Sequence, residues 1–412
     1  MPGGAASFPV PDENGATVTE KAPSGAGGFD ISRAWTDERV RGVIFQIALV
    51  LGVAGLAAFI VNNTIANYEE AGLSFGYGFL FDTANFDINQ RLIEYASTST
   101  YGRALGVGAL NTILVAVMGV AAATLIGFVT GVLRLSNNFL VSRTVAVWVE
   151  FTRNVPVLLQ IIFWWLIMLA LPKVRDSLSL GETVFLNNRG VRLPSPIFED
   201  GSAIVLTIVL LGVVATAVVR RWAKKRQDAT GRTFPVGWAG LGLIVGVPVM
   251  AYFALGQPLD LDVPVQKRFN LQGGVSITPE LVALWLALST YTGAFISEIV
   301  RAGILAVSRG QTEAAGALGL RRNLTMREIV LPQALRVIVP PMTSQYLNLT
   351  KNSSLAVAIG YQDIVSTGDT ILNQSGQAIE VISLYMVFYL TLSLLTSSYM
   401  NWYNKRIALV ER

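Results

Sequence analysis

Two pairs of opposite charges lie inside apolar stretches of the sequence. Glu150 and Arg153 are three residues apart, and so are Glu298 and Arg301, which places each pair on one face of a helix. Charges within a membrane cost about 2.5–3.5 kcal/mol each on insertion scales, so they usually face a cavity or a partner. We expect Glu298 and Arg301 to form a structural ion pair. For Glu150 and Arg153, the spacing is equally compatible with a structural pair and with contact to a polar ligand, and Pro156 close by can kink the helix.

A stripe of polar side chains runs along another apolar segment. Gln345, Asn348 and Asn352 recur at steps of three and four residues beside Lys351, after two prolines at 340–341 that we expect to interrupt the helix. The stripe predicts a polar path through a membrane. Two alternatives stay open, namely hydrogen bonds that hold helices together and a Lys351 side chain that extends outward to the interface.

Several kinds of chemistry are excluded by composition. The chain has no cysteine and no histidine, which removes thiol chemistry, disulfides, imidazole metal sites and histidine acid–base catalysis. It has no Gly-x-x-x-x-Gly-Lys-Ser/Thr phosphate loop, so we do not expect it to bind ATP in the usual mode. The carboxylates lie in isolated pairs, without a nucleophile motif or a metal-ligand cluster. We therefore expect no catalytic residue and no metal site in this chain.

The elements that must position these residues are membrane helices. Of the residues, 52% are apolar and 14% are charged, against about 25% charged in soluble domains. Apolar runs near the roughly 20 residues needed to cross a bilayer predict an all-α membrane protein with about eight spanning helices. The predicted spans are 43–61, 107–133, 144–171, 203–219, 238–256, 278–304, 334–358 and 378–401.

The distribution of cations predicts the orientation. Most of the 31 lysines and arginines fall in one alternating set of connections, which includes 220–237, 301–336 and both chain ends. By the positive-inside rule, this set and both termini are cytoplasmic. The net charge of +4 follows this topology and does not indicate nucleic-acid binding. Residues 1–42 lack an apolar period and a signal-peptide core, which predicts a mobile cytoplasmic tail.

The cytoplasmic connection 310–332 contains a run of small residues. We expect Thr312 to cap a short helix, with Glu313 near its positive end, and Gly319 to end that helix in the left-handed conformation. Small side chains let another backbone approach closely, and Pro332 is expected to redirect the chain into the next span. The candidate contact residues are Glu313, Ala314, Ala315, Gly316, Gly319, Ile329, Leu331 and Pro332. Spacing alone is equally compatible with a helix-turn that merely connects two spans.

The pattern Glu-Ala-Ala, three residues, Gly, nine residues, Ile-x-Leu-Pro resembles the loop that defines permease subunits of ATP-binding-cassette importers. In that family the short helix is the coupling helix, which fits a groove on the ATPase subunit and transmits its opening and closing. The resemblance implies a type I importer permease core with a cytoplasmic coupling helix.

Three further segments resemble the polar-amino-acid branch of this family, which includes histidine, glutamate, glutamine, arginine and opine systems. They are Glu150–Gln160, Ser297–Ile304 and Lys351–Leu355. As a whole, the chain resembles the larger permeases of general L-amino-acid importers, and so does its outer segment Leu73–Leu80. The compact form of the branch has about five spans, whereas here 172–277 inserts two further helices and two outer loops. A lipid-facing or partner-facing role is the default expectation for this insertion.

These segments predict the domain organisation. The tail is 1–42, and the first span with an outer segment is 43–106. The first part of the permease core is 107–171, the insertion is 172–277, and the second part of the core, with the coupling loop, is 278–408.

The resemblance implies a non-enzymatic transport subunit in the bacterial inner membrane. Such a subunit provides the path for L-amino acids of a broad polar, acidic or amide-bearing range, which a periplasmic solute-binding protein hands over. Its other partners are a second, usually different, permease and two ATPase subunits, which bind ATP and magnesium, so this chain has no cofactor of its own. An ion-coupled carrier in which Glu150 and Glu298 bind the cation is the alternative, and it leaves the cytoplasmic loop unexplained.

Charge complementarity predicts how a zwitterionic amino acid could be held. Arg153 or Lys351 suits its carboxylate, and Glu150 or the asparagine side chains suit its ammonium group. Asn111 and Thr112, near the start of the second span, are expected to line the same path from the outer side. The predicted path residues are Asn111, Thr112, Glu150, Arg153, Gln345, Asn348, Lys351 and Asn352.

Overall fold

The computed structural model describes residues 38–70, 76–267 and 270–407. Most of the predicted tail and the residues Leu73, Ser74 and Phe75 of the predicted outer segment lie outside this part. The chain divides into two compact units between residues 75 and 76. In the first unit, helix α1 (Glu38–Glu70) contains the predicted first span.

The second unit is built mainly from helices. They are α2 (Tyr101–Leu133), α3 (Phe139–Asn154), α4 (Val157–Ala170), α5 (Ser202–Thr230), α6 (Val236–Ala254), α7 (Pro279–Leu305), α8 (Arg309–Ala317), α9 (Arg322–Thr325), α10 (Leu331–Asn352), α11 (Ile364–Ser375) and α12 (Ala378–Ile407). A buried apolar core lies where α2, α4, α7 and α10 pack together.

Short strands occupy the two outer loops of the insertion. They are β1 (Leu178–Leu180), β2 (Val184–Asn187), β3 (Gly190–Leu193), β4 (Ser195–Phe198), β5 (Leu259–Asp262), β6 (Val265–Gln266), β7 (Leu271–Gln272) and β8 (Val275–Ile277). An antiparallel sheet of order β1-β2-β3-β8 joins the loop before α5 to the loop after α6, and β4 pairs with β5 between the same loops. The insertion thus leaves and re-enters the core through paired strands.

The predicted spans are largely confirmed as helices, with two differences. Within the described ranges, six helices are long and apolar enough to cross a membrane: α1, α2, α5, α6, α7 and α12. The predicted third span, 144–171, is the pair α3 and α4, which bend by 107° and add a seventh crossing only if the two helices together count as one span. The predicted seventh span, 334–358, is the 22-residue helix α10 followed by a 3₁₀ turn at Ser353–Ile359, and it is more polar than the others.

The sharp bend follows from Pro156, as the sequence predicts. Proline has no N–H to continue the hydrogen bonds of α3, so the last carbonyls of that helix need other donors. The Gln160 side-chain amide supplies them, donating to the carbonyl oxygens of Thr152 at 2.8 Å and Val155 at 2.9 Å. One side chain in the first turn of α4 therefore satisfies two carbonyl groups at the end of α3.

The expectation that the two prolines interrupt the later helix is wrong. Helix α10 runs through Pro340 and Pro341 without a break. It continues directly from α9 through a π-helical turn at Met326–Val330, and Pro332 lies inside this continuous helical run, just after that turn. Pro332 therefore does not redirect the chain as predicted.

The backbones of α2 and α7 approach each other closely through glycines. A Cβ atom on Gly131 would lie 2.7 Å from Val300 Cβ and 2.8 Å from the Ser297 carbonyl oxygen, and one on Gly127 would lie 3.0 Å from the Gly293 carbonyl oxygen. Small residues at a helix interface allow such contact in membranes, where lipid offers apolar groups no reason to associate. The two helices thus form a seam with no room for a side chain.

We expect Gly127→Ala to destabilise the protein by about 1–3 kcal/mol, the usual cost of overpacking. Gly106→Ala in the same helix is the matched control, because a Cβ there would have nothing within 4 Å. Thermal unfolding of the purified protein measures both. Equal melting temperatures for the two variants would contradict the seam.

Candidate functional site

Helix α8, in the predicted coupling loop, is exposed along its length except at one buried residue. Ala315 is 2% exposed, whereas Glu313, Ala314 and Gly316 are exposed. Leu318, just past the helix end, is 80% exposed. The predicted set of contact residues does not include Leu318, although it lies directly beside them. Its exposure could not be read from the sequence, because leucine is normally buried.

Hydrogen bonds fix the end of α8. Gly319 has φ +73°, as predicted for a left-handed helix end. Its N–H donates to the Gly316 carbonyl at 2.9 Å, and the Leu320 N–H donates to the Ala315 carbonyl at 3.0 Å, which is the Schellman pattern. The predicted start is wrong: α8 begins at Arg309, and the Thr312 hydroxyl donates to the Arg309 carbonyl at 2.7 Å from within the helix.

A side-chain contact also ties α8 to α10. The Gln333 amide donates to Gln311 Oε1 at 3.5 Å and to the Ile329 carbonyl at 3.0 Å. Ile329 and Leu331 are half-buried, and Pro332 is exposed. The exposed surface of α8 is therefore held at its own end and against the helix that follows it.

The predicted ion pair between Glu298 and Arg301 is present and belongs to a larger network. Arg301 Nη2 lies 2.5 Å from Glu298 Oε1, and Arg134 contacts Glu298 Oε2. Arg134 caps the end of α2 and its side chain is 10% exposed. The network thus locks the end of the α2–α7 seam nearest α8. The sequence could not show that Arg134 joins, because the contact spans 164 residues.

Of the two alternatives that the sequence leaves open for Glu150 and Arg153, the structural ion pair is not formed. In the described residues neither forms an ion pair with the other, although they are three apart in α3. The Arg153 guanidinium instead lies 5.1 Å from the centre of the Phe295 ring of α7, a cation–π contact. Both charged side chains are exposed. Glu150 and Arg153 are therefore separate charges on the surface beside the bend.

The polar stripe of α10 lies on the exposed face of that helix. Asn348 and Lys351 are exposed, and Gln345 and Asn352 are half-buried. Within the part of the chain that the structure describes, no hydrogen bond or ion pair engages the side chains of these four residues. The opposite face, with Ile338, is buried against the core. In the described residues these four polar groups thus have no partner, and two of them are fully exposed.

Asn111 and Thr112 lie inside the protein and reach no surface in this conformation. Both are 0% exposed. The Asn111 amide donates to the carbonyls of Gln90 at 2.7 Å and Gln362 at 2.9 Å, and the Thr112 hydroxyl accepts the Ile364 N–H at 3.1 Å. These bonds tie α2 to the outer segment and to the start of α11. The contacts are structural, and they separate these two residues from the exposed stripe.

Residues 229–409 match the family described as binding-protein-dependent transport system inner membrane component. The general L-amino acid transport system permease protein AapQ of Rhizobium johnstonii is 49% identical over 396 residues, which is 96% of this chain and 99% of the relative.

Two further relatives also match along nearly their whole length. The putative amino-acid ABC transporter permease protein YhdX of Escherichia coli strain K12 is 46% identical and covers 92% of this chain and 98% of its own. The glutamate/glutamine/aspartate/asparagine transport system permease protein BztB of Rhodobacter capsulatus is 43% identical, with 93% and 98% covered. Similarity of this extent includes the insertion as well as both parts of the core.

We expect Glu298→Gln to lower the free energy of unfolding by about 1.5–3 kcal/mol, the usual loss for a hydrogen bond to a charged group, because Arg134 and Arg301 lose their shared carboxylate. Glu328→Gln is the control: its ion pair with Arg327 is exposed, at 60% and 83%, and such pairs contribute about 0–1 kcal/mol. Denaturation of the purified protein compares the two. A Glu328 variant as unstable as the Glu298 variant would contradict the network.

Proposed function

The chain belongs to the family of membrane permease subunits of ATP-binding-cassette amino-acid importers, and from this premise we propose how its surfaces divide the work. Helix α8 is the docking surface for an ATPase subunit, and the exposed face of α10 borders the path of the amino acid. The ion-coupled carrier is not supported, since the relatives are permeases of ATP-driven systems.

The geometry of α8 is the observation that carries this proposal. The helix is short, exposed on all sides but that of Ala315, and fixed at its end and against α10. An exposed helix of mostly small residues can enter a groove on a partner and move with it, and Leu318 offers an apolar contact beside it. Movement of the ATPase would then pass to α7, which precedes α8 in the chain, and to α10, which follows it.

The distribution of cations supports a cytoplasmic position for this surface, on the side where ATP is available. The cations concentrate in the connections on the α8 side, which by the positive-inside rule are cytoplasmic, together with both termini. The sequence has no phosphate loop, so ATP and magnesium belong to the partner ATPase, and this subunit has no cofactor and no catalysis of its own.

The α10 stripe is proposed to border the path together with a second, different permease and a solute-binding protein that delivers substrate from the outer side. Unpaired polar groups are costly against lipid, so an aqueous cavity or a partner surface is their favourable environment. Asparagine and glutamine amides offer both donors and acceptors, which suits a zwitterion with a polar side chain. Polar, acidic and amide amino acids are the proposed substrates, in keeping with the names of the relatives.

We expect Glu313→Lys to reduce substrate-stimulated ATP hydrolysis by the assembled transporter about tenfold or more, because a reversed charge on a docking surface meets a partner selected for the original one. Glu94→Lys makes the same change at an exposed position in the outer segment and is the control. The assay compares hydrolysis and uptake in proteoliposomes. Normal coupled hydrolysis in the Glu313 variant would rule out docking at α8.

We expect Asn348→Leu combined with Asn352→Leu to lower amino-acid uptake about fivefold or more, since the loss of a hydrogen bond from a polar path costs on the order of 1 kcal/mol. Val337→Leu, an exposed apolar position on the same helix, is the control. Uptake and its concentration dependence are measured for several amino acids. Unchanged uptake and unchanged preference would remove the stripe from the path.

A further inference from the structure

The inserted helix α5 ends in a cluster of exposed cations. The helix is apolar over its first part, and its last three turns carry all of its charged residues, with Asp228 as the single carboxylate. The cations are Arg220, Arg221, Lys224, Lys225 and Arg226, with Arg232 just beyond the helix. In the described part of the chain none of them lies within 4.0 Å of a carboxylate oxygen. The cluster thus carries positive charge that this chain does not neutralise.

Four of the cations occupy one side of the helix. Arg220 and Lys224 are one turn apart, and Arg221 and Lys225 form the adjacent row. Arg226 instead lies 5.4 Å from the centre of the Trp222 ring, and that ring packs edge-on against Phe234 with centroids 5.4 Å apart. Tryptophan prefers the membrane interface, so Trp222 marks the level at which α5 leaves the hydrocarbon. The four cations begin at that level.

An apolar groove between α5 and α6 leads to the same place. It has a volume of about 560 Å³, and Val236, Gly237, Leu241 and Ile244 of α6 form one wall. Thr216 and Arg220 of α5 form the other wall. Because Arg220 belongs both to the groove and to the cation cluster, a ligand with an apolar chain and an anionic head would satisfy both features at once.

We propose that this groove and the row of cations form a binding site for an anionic phospholipid, which we name the α5–α6 lipid site. One acyl chain occupies the groove, and the phosphate lies against Arg220 and Lys224, with Arg221 and Lys225 adding attraction to the anionic surface. Clusters of four to eight cations next to a membrane helix attract anionic lipid in this way. An acidic protein partner would pair with the cations, but it would leave the apolar groove beside Arg220 unfilled.

The charge part of the proposal is tested with the whole transporter, purified with its partners and placed in nanodiscs of equal phosphatidylglycerol and phosphatidylcholine. Native mass spectrometry then measures the enrichment of each retained lipid. We expect the variant R220Q/R221Q/K224Q/K225Q to lose anionic enrichment about tenfold or more, since each cation near a membrane surface contributes about fivefold. The charge-preserving variant R220K/R221K/K224R/K225R should stay within about twofold of the native protein.

The groove part is tested with two glycines of α6. A Cβ on Gly237 and one on Gly242 would each have nothing within 4 Å, but Gly237 lines the groove and Gly242 does not. Gly237→Leu should fill the groove and reduce the retained phosphatidylglycerol about fivefold, whereas Gly242→Leu should leave it unchanged. The proposal is overturned if the native protein retains phosphatidylcholine and phosphatidylglycerol to the same extent. It is also overturned if the four-glutamine variant keeps its anionic enrichment, or if the Gly237 and Gly242 variants retain equal amounts of phosphatidylglycerol.

Discussion

The close approach of α2 to α7 is the constraint on which the rest of the second unit depends. At Gly127 and Gly131 the two backbones leave no space for a side chain. Lipid does not push apolar helices together, so this packing and the Arg134–Glu298–Arg301 network at its end must hold them. Without the network, two arginines would stand at the end of the seam with no counter-charge.

Both surfaces of the proposed function, α8 and the α10 stripe, are positioned by this seam. Helix α7 continues directly into the loop that carries α8, so a fixed α7 gives α8 a fixed origin. Gly303 of α7 lies beneath Ile338 of α10, which turns the apolar face of α10 inward and its polar stripe outward. In the proposed function, a movement imposed on α8 would reach the α10 stripe through α7 and α10, the long helices that precede and follow α8 in the chain.

Sequence patterns predicted what depends on local chemistry. The length of the apolar runs predicted the helices, and Gly319 predicted the end of α8. Pro156 predicted the bend between α3 and α4, and the three-residue spacing predicted the Glu298–Arg301 ion pair. Sequence patterns could not predict contacts between residues that are far apart in the chain. Arg153 makes a cation–π contact with Phe295 and no ion pair with Glu150, and the Asn111 amide donates hydrogen bonds to the backbone carbonyls of Gln90 and Gln362. Pro340 and Pro341 misled because tertiary packing holds α10 helical despite the lost bonds. The exposure of Leu318 had no local signal at all.

The most direct test of the account is cross-linking at α8 in the assembled transporter. The chain has no native cysteine, so Ala317→Cys, a small and exposed position, gives a single reactive site. With a short cysteine-to-lysine cross-linker and mass spectrometry, we expect products that join position 317 to the ATPase subunit, with yields that change when ATP is bound. Products that join it to the solute-binding protein, or no ATPase product at all, would contradict the assignment of α8 as the coupling surface.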